Sequence, residues 1–384
     1  MMRRLFFLVA AAVVVDTMFF AAITPLLPLY TADLGISKSA AGILSASYAA
    51  GTFLGAIPSG YLAARLGVRP TLLIGLGLTS VSCVAFGFAE EIVLLDLARF
   101  VQGIGGACTW AGALTWLVAA APRERRGEML GGALAFAIAG ALLGPVVGGL
   151  ATALSPQLVF SAVAVLAAAL AAWALRIPAA APVPPPGFAT VLRSMTRPGV
   201  LAAFWLVALP SLFSGLLNVL APLRLDELGA SGAAVGTVFL VAAGVEAIAS
   251  RAFGRASDRR GRLAPMRAGL VGSIVAAVAL TLPETIVLLA LAVIATVVSL
   301  ATFWAPAMAL LSDVAEASGL DQGFAFALVN LAWAGGQVIG GSAGASLADI
   351  TSDAVPYLLA AGLFAATLAG LGLLDPARST RPTA

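Results

Sequence analysis

Few side chains in this sequence could do chemistry, and the most unusual of them stand inside apolar runs. Asp16 interrupts FFLVAAAVVVDTMFFAAITPLLP (6–28), Arg99 follows Asp96 in DLARFVQGIGGA (96–107), and Glu246 lies in LVAAGVEAIAS (240–250). A carboxyl group among aliphatic side chains is strained toward its neutral form and can take up or release a proton, or hold a cation. An arginine in such a run keeps its charge, so it must face a partner or a cavity; burying it in hydrocarbon costs at least about 2.5 kcal/mol. Asp96, three residues before Arg99, falls on the same helical face and is the candidate partner. Other chemistries are excluded. The chain has no histidine, which removes imidazole relays, histidine metal ligands and serine–histidine–aspartate triads. Its one lysine, Lys38, lies in no GxxxxGK loop, so no phosphate-cradling ATP site is present. Cys83 and Cys108 both fall in apolar runs, where a thiol acts as a small apolar group.

The elements around these residues must be membrane helices. Of 384 residues 61% are hydrophobic and 10% charged, with mean hydropathy +1.05; a soluble domain carries about 25% charged residues. Apolar runs of the roughly 20 residues that cross a bilayer begin near residues 5, 40, 70, 92, 128 and 157, then near 199, 233, 264, 286, 322 and 354. The expected fold is an all-α polytopic membrane protein of twelve spans. The first run, after Met1-Met2-Arg3-Arg4, is too long for a cleaved signal segment and is expected to remain as span 1. Apart from Lys38, Arg99 and Arg224, every lysine and arginine lies at a terminus or in the loops after spans 2, 4, 6 and 8. The opposite loops carry Asp33, Glu90, Glu91, Asp226, Glu227, Glu284, Asp349 and Asp353. By the positive-inside rule both termini are cytoplasmic, and the basic balance reports topology rather than nucleic-acid binding.

The chain also repeats itself. PLYTADLGISKSAAG (28–42) overlays PLRLDELGASGAAVG (222–236) at seven positions, including Gly35 with Gly229, Ser37 with Ser231 and Gly42 with Gly236. GYLAARLGVR (60–69) shares Gly60, Arg65 and Gly67 with Gly254, Arg259 and Gly261 of the second copy. GALLGPVVGG (140–149) pairs with GQVIGGSAGA (336–345), so that Gly140, Gly144 and Gly148 meet Gly336, Gly340 and Gly344. Two copies of six helices share one orientation because six is even. The expected division is an N-terminal bundle (1–177), a proline-rich cytoplasmic linker (178–198) and a C-terminal bundle with a short tail (199–384). Two such bundles about an axis along the membrane normal, with a site between them near mid-membrane, make a transporter architecture.

These motifs resemble the major facilitator superfamily, and within it the drug:proton antiporters of the tetracycline and multidrug type, over nearly the whole chain. The GxxxDRxGRR loop signature is partly present as Gly60, Arg65, Gly67 and Arg69, with Ala64 where the aspartate stands. The second copy is nearly complete as Gly254, Asp258, Arg259, Gly261 and Arg262. The resemblance makes this loop a gate latch whose ion pairs form in one state and release in the other. Arg99, Gln102, Gly103 and Gly105, with Asp96 one turn before them, resemble the family's helix-4 RxxQGxG signature. Asp16, followed by Pro25 and Pro28, is similar to helix 1 of the same antiporters, and about 16 Å into the span it lies near the bilayer centre. Gly140, Gly144, Pro145, Gly148 and Gly149 form the GxxxGPxxGG stretch that the resemblance ties to antiport. Glycines at spacing four admit a neighbouring backbone, and Pro145 is expected to bend the helix there.

The resemblance implies export of a lipophilic or cationic small molecule in exchange for protons, and Asp16, Arg99 and Glu246, the ionisable groups deep in the spans, are the candidate proton-coupling residues. Glu246 has three readings from its position: a second proton site, a cation-binding carboxylate, or a partner of Arg251. Phe19, Phe20, Trp110, Trp304 and Trp333 are candidate walls of the substrate cavity, with Asn218, Asn330 and Gln337 as polar lining groups. The alternatives are a proton-coupled importer of a nutrient or metabolite on the same fold and, more distantly, a non-transporting receptor or scaffold. The expected partners are substrate, protons and the lipid bilayer of a cytoplasmic (inner) membrane, around a monomer that is not an enzyme. No catalytic residue, resident cofactor, metal, ATP or nucleic acid is expected.

Overall fold

The computed structural model describes residues 2–122, 126–179, 187–260, 263–320 and 322–373. Among them there is no strand. Helix α1 (Met2–Ala21) runs through a 3₁₀ turn (Thr24–Leu26) into α2 (Leu27–Leu34), together one crossing segment. Then come α3 (Lys38–Leu66), α4 (Val68–Gly87), α5 (Ile92–Ala120), α6 (Arg126–Ala153) and α7 (Pro156–Ala174). The short α8 (Phe188–Met195) lies in the expected linker. The second set is α9 (Pro198–Glu227), α10 (Gly232–Arg260), α11 (Leu263–Ala279), α12 (Ile286–Ala317) and α13 (Gln322–Val338). Helix α13 continues through a π-helical turn (Ile339–Gly344) into α14 (Ala345–Ile350), and α15 (Ala354–Leu373) closes the series.

Eleven of these segments are long and apolar enough to cross a membrane. The twelfth expected span, near 264, corresponds to α11, whose apolar stretch Ala264–Ala279 is shorter than the usual crossing length. The described end of the linker, after its prolines, is helical and packed on the second half. Helix α8 buries Val191 in the second-half core, and Ser194 Oγ donates to Ser318 O at the end of α12 at 3.2 Å.

The repeated residues do matching structural work. Gly35 (φ 60°) and Gly229 (φ 88°) end α2 and α9 in left-handed conformations that suit glycine. Two residues on, Ser37 and Ser231 cap α3 and α10, each hydroxyl accepting from the backbone N–H of Ala40 or Ala234 at 3.3 Å. Such a cap contributes about 1 kcal/mol. Gly140, Gly144 and Gly148 of α6 press on α1 and the 3₁₀ turn, against Val14 O, Met18 O and Ala22 O. Gly336, Gly340 and Gly344 press on α9 in the same way, against Ala208 O, Leu212 O and the Leu216 side chain. Helix α6 therefore packs on α1 as α13 and its π-helical turn pack on α9, which is the two-bundle fold of the repeat.

Gly149 meets nothing within 4 Å, so only three glycines of that stretch carry the close approach. Pro145 lies inside an uninterrupted α6, and its carbonyl is approached by Gly236 of α10. The equivalent Gly42 of α3 lies against Gly341 O and Ala345 Cβ. Each of these two repeated glycines thus marks a place where one half touches the other.

Candidate functional site

The break in the first crossing segment sets up the site. Pro25 has no N–H, and α1 ends at Ala21, so carbonyls near its end lose their in-helix donors. Arg99 replaces them. Its Nη1 donates to Phe19 O at 3.2 Å and to Gln102 Oε1 at 2.8 Å, and its Nη2 donates to Phe20 O at 3.2 Å. The guanidinium is wholly buried and lies 5.3–5.9 Å from the ring centres of Tyr48, Phe20 and Phe19. Helix-end carbonyls carry partial negative charge, and ring faces attract a cation, so both compensate the burial.

Asp96 is not its partner. That expected pair does not form among the described residues, because the planar fork of Arg99 is committed to α1 and Gln102. Asp96 is half-buried, with one carboxylate oxygen lacking a hydrogen bond. Gln102 is buried and takes part through its side-chain oxygen. Gly103 and Gly105 serve packing: Gly103 lies on Tyr48 O of α3, and Gly105 lies against Gly75 O and Leu78 of α4.

Asp16 is 1% exposed. Its Oδ2 accepts two hydrogen bonds, from Tyr48 Oη at 2.9 Å and from Trp110 Nε1 at 2.8 Å. Its Oδ1 is buried and has no partner. One oxygen is therefore held by two donors from two different helices, and the other is free to carry a proton or meet a cation. Tyr48 was not singled out in the sequence. The available signal was a lone phenol in an apolar run, whose hydroxyl must find a partner once buried. Gly106 was missed too. A Cβ built there would come 2.6 Å from Tyr48 Oη and 2.8 Å from Asp16 Oδ1, so the bare backbone makes room for the pair.

The aromatic surroundings cross between the halves. Phe20 packs on Tyr48 at 4.8 Å and on Trp333 of α13 at 5.3 Å, and Tyr48 lies 6.2 Å from Trp333. Phe19 points elsewhere, into a first-half cluster with Phe86 and Phe160, and is a core residue by position. Gln337 is buried against Gly215 of α9 through its backbone. Asn218, Asn330 and Trp304 are half-buried and make no side-chain hydrogen bond among the described residues. Glu246 is exposed on α10 and has no ion pair among the described residues; the side chain of Arg251, its candidate partner, lies outside them.

At the end of α3, Gly67 adopts φ 96°, ψ 161°, a conformation open to glycine alone, and turns the chain directly into α4. Arg65 is exposed. Arg69 donates to Ile177 O at 3.4 Å within its own half, and Gly60 faces the Phe324 ring of α13 at 3.7 Å. In the second copy the side chains at Gly254, Asp258 and Arg259, and Gly261 and Arg262 entirely, lie outside the described residues.

A family model described as Major Facilitator Superfamily matches residues 9–223 and 203–384. An uncharacterised MFS-type transporter of Schizosaccharomyces pombe is 31% identical over 134 residues, 33% of this chain and 30% of its own. The quinolone resistance protein NorA of Staphylococcus aureus is 29% identical over 109 residues, 28% of each chain. A probable vesicular acetylcholine transporter of Danio rerio is 34% identical over 143 residues, 35% of this chain and 29% of its own. Each alignment thus spans under a third of the relative. With both halves matched and every described crossing segment helical, the chain belongs to the major facilitator superfamily of membrane transporters and is not an enzyme.

Proposed function

We propose that the chain exports a lipophilic or cationic small molecule in exchange for protons, by alternating access across a cytoplasmic membrane with both termini inside. The observation that carries this reading is the Asp16 carboxylate, with one oxygen clamped by Tyr48 and Trp110 and the other unpartnered. In the cycle, substrate binding accompanies proton loss from Asp16; outward rocking of the halves then releases the substrate, and Asp16 takes a proton from the outer side before the return. Arg99, tied to the broken end of α1, holds a fixed positive charge in the same region. Phe20, Tyr48 and Trp333 offer ring faces from both halves, chemistry that suits an apolar or cationic guest. The names of two relatives, a quinolone resistance protein and an acetylcholine transporter, are compatible with such a guest.

The energy suffices. Moving one charge through 100 mV yields about 2.3 kcal/mol, and tenfold accumulation needs about 1.4 kcal/mol. The test is a compound panel on reconstituted vesicles with an imposed pH gradient. Export predicts that at least one lipophilic or cationic compound moves against proton flow and that Asp16→Asn abolishes the coupling with expression intact. Inward accumulation of a metabolite with the protons, and no outward substrate, would overturn the reading.

A further inference from the structure

The one lysine of the chain binds across the halves at the end of the bundle opposite the termini. Lys38, the first residue of α3, places Nζ 2.9 Å from Glu227 Oε1 at the end of α9. The same Nζ is 2.9 Å from Asp353 Oδ1 and 3.2 Å from Asp353 Oδ2, just before α15. Both acids belong to the second half. Arg224 holds the other oxygen of Glu227 at 3.0 Å, so Glu227 keeps a partner without Lys38, whereas Asp353 has no other cation among the described residues. Next in sequence, Ser39 reaches Ser346 Oγ at 2.7 Å, and its N–H donates to Asp349 Oδ2 at 3.4 Å. One turn further in, Gly42 lies against Gly341.

We propose that Lys38 is a latch that holds this end of the two halves together and is released whenever the transporter opens there. A buried ion pair would resist release, because each charge would be left without water. This one is built to break: the side chains of Lys38, Glu227 and Asp353 are 28%, 42% and 25% exposed. A cavity of about 440 Å³ lined by Lys38, Arg224, Asp349 and Asp353 lies beside them. Water can take over each charge as the pair separates, so the latch biases an equilibrium without locking it. A single first-half cation shared by two second-half acids also makes the device sensitive to one substitution. The inference rests on the chain's membership of a transporter family and not on the direction of transport or on protons.

The test is a distance measurement by electron paramagnetic resonance on the full chain in liposomes. Spin labels go at Ala32→Cys and Ser352→Cys, with the buried Cys83 and Cys108 replaced by alanine. With Lys38 intact the short distance dominates. Lys38→Gln is expected to raise the long-distance population about fivefold, the weight of one exposed ion pair, and Lys38→Arg is expected to leave it near the starting value. The exchanged pair Lys38→Asp with Asp353→Lys should restore the short distance, and it carries the test if Lys38→Gln fails to fold. An unchanged distribution in Lys38→Gln, or an exchanged pair that stays open, overturns the proposal. No substrate or pH gradient is needed, so failure of the export reading would leave this result standing.

Discussion

Residue chemistry in this protein depends on which donors reach a buried carboxylate. Tyr48 and Trp110 both bind Oδ2 of Asp16, and Gly106 clears the space they need. Gly106→Ala would force its methyl group against Tyr48 Oη and Asp16 Oδ1. Transport is expected to fall at least tenfold with the protein still inserted, measured as substrate flux per unit of folded protein in vesicles. Arg99→Lys is a different kind of loss. A single ammonium cannot serve Phe19 O, Phe20 O and Gln102 Oε1 in the geometry of a planar fork. A charged hydrogen bond contributes about 1.5–3 kcal/mol, so a melting midpoint in detergent lower by several degrees is the expected outcome.

At the scale of elements, glycine spacing decides how closely helices pack. Gly144 admits Ala21 and Met18 O of the first crossing segment, and Gly340 admits Leu212 O of α9. Valine at either place must push two backbones apart, at a cost of about 1–3 kcal/mol. Because the two contacts are copies of one arrangement, Gly144→Val and Gly340→Val should lower thermal stability by similar amounts. Gly149→Val, facing open space, should change it little. The same measurement on all three separates close packing from mere glycine content.

For the whole molecule, the proposed alternating access requires the halves to separate at one end while remaining joined at the other. Helix α3 meets α13 and the π-helical turn after it, from Gly42 with Gly341 through Phe53 with Gly335 to Tyr61 with Phe324. The charged closure by Lys38 lies at one end of that seam. If a proton gradient drives the cycle, dissipating it with an ionophore should collapse substrate accumulation in vesicles carrying the wild-type protein. Asp16→Asn vesicles should show the same low flux with and without the gradient.

Much of the fold was legible because bilayer insertion depends on local properties. Run length and the absence of charge mark a span wherever it lies in the fold. The repeat was equally readable, and Gly35, Ser37 and their copies are caps whose chemistry acts within a few residues. At the site, spacing identified Asp16 and Arg99 as residues too costly to bury without purpose. It assigned the wrong partner to Arg99, because Asp96 is near in sequence while the freed carbonyls of α1 are near only after folding. Tyr48 on Asp16, and Lys38 on Glu227 and Asp353, were undetermined for the same reason. The sequence by itself determined which segments enter the membrane, that six helices were copied, and which ionisable groups enter with them. Only the tertiary structure decided what those groups touch, because helices distant in the chain bring their side chains within hydrogen-bond reach only once glycine contacts set their packing.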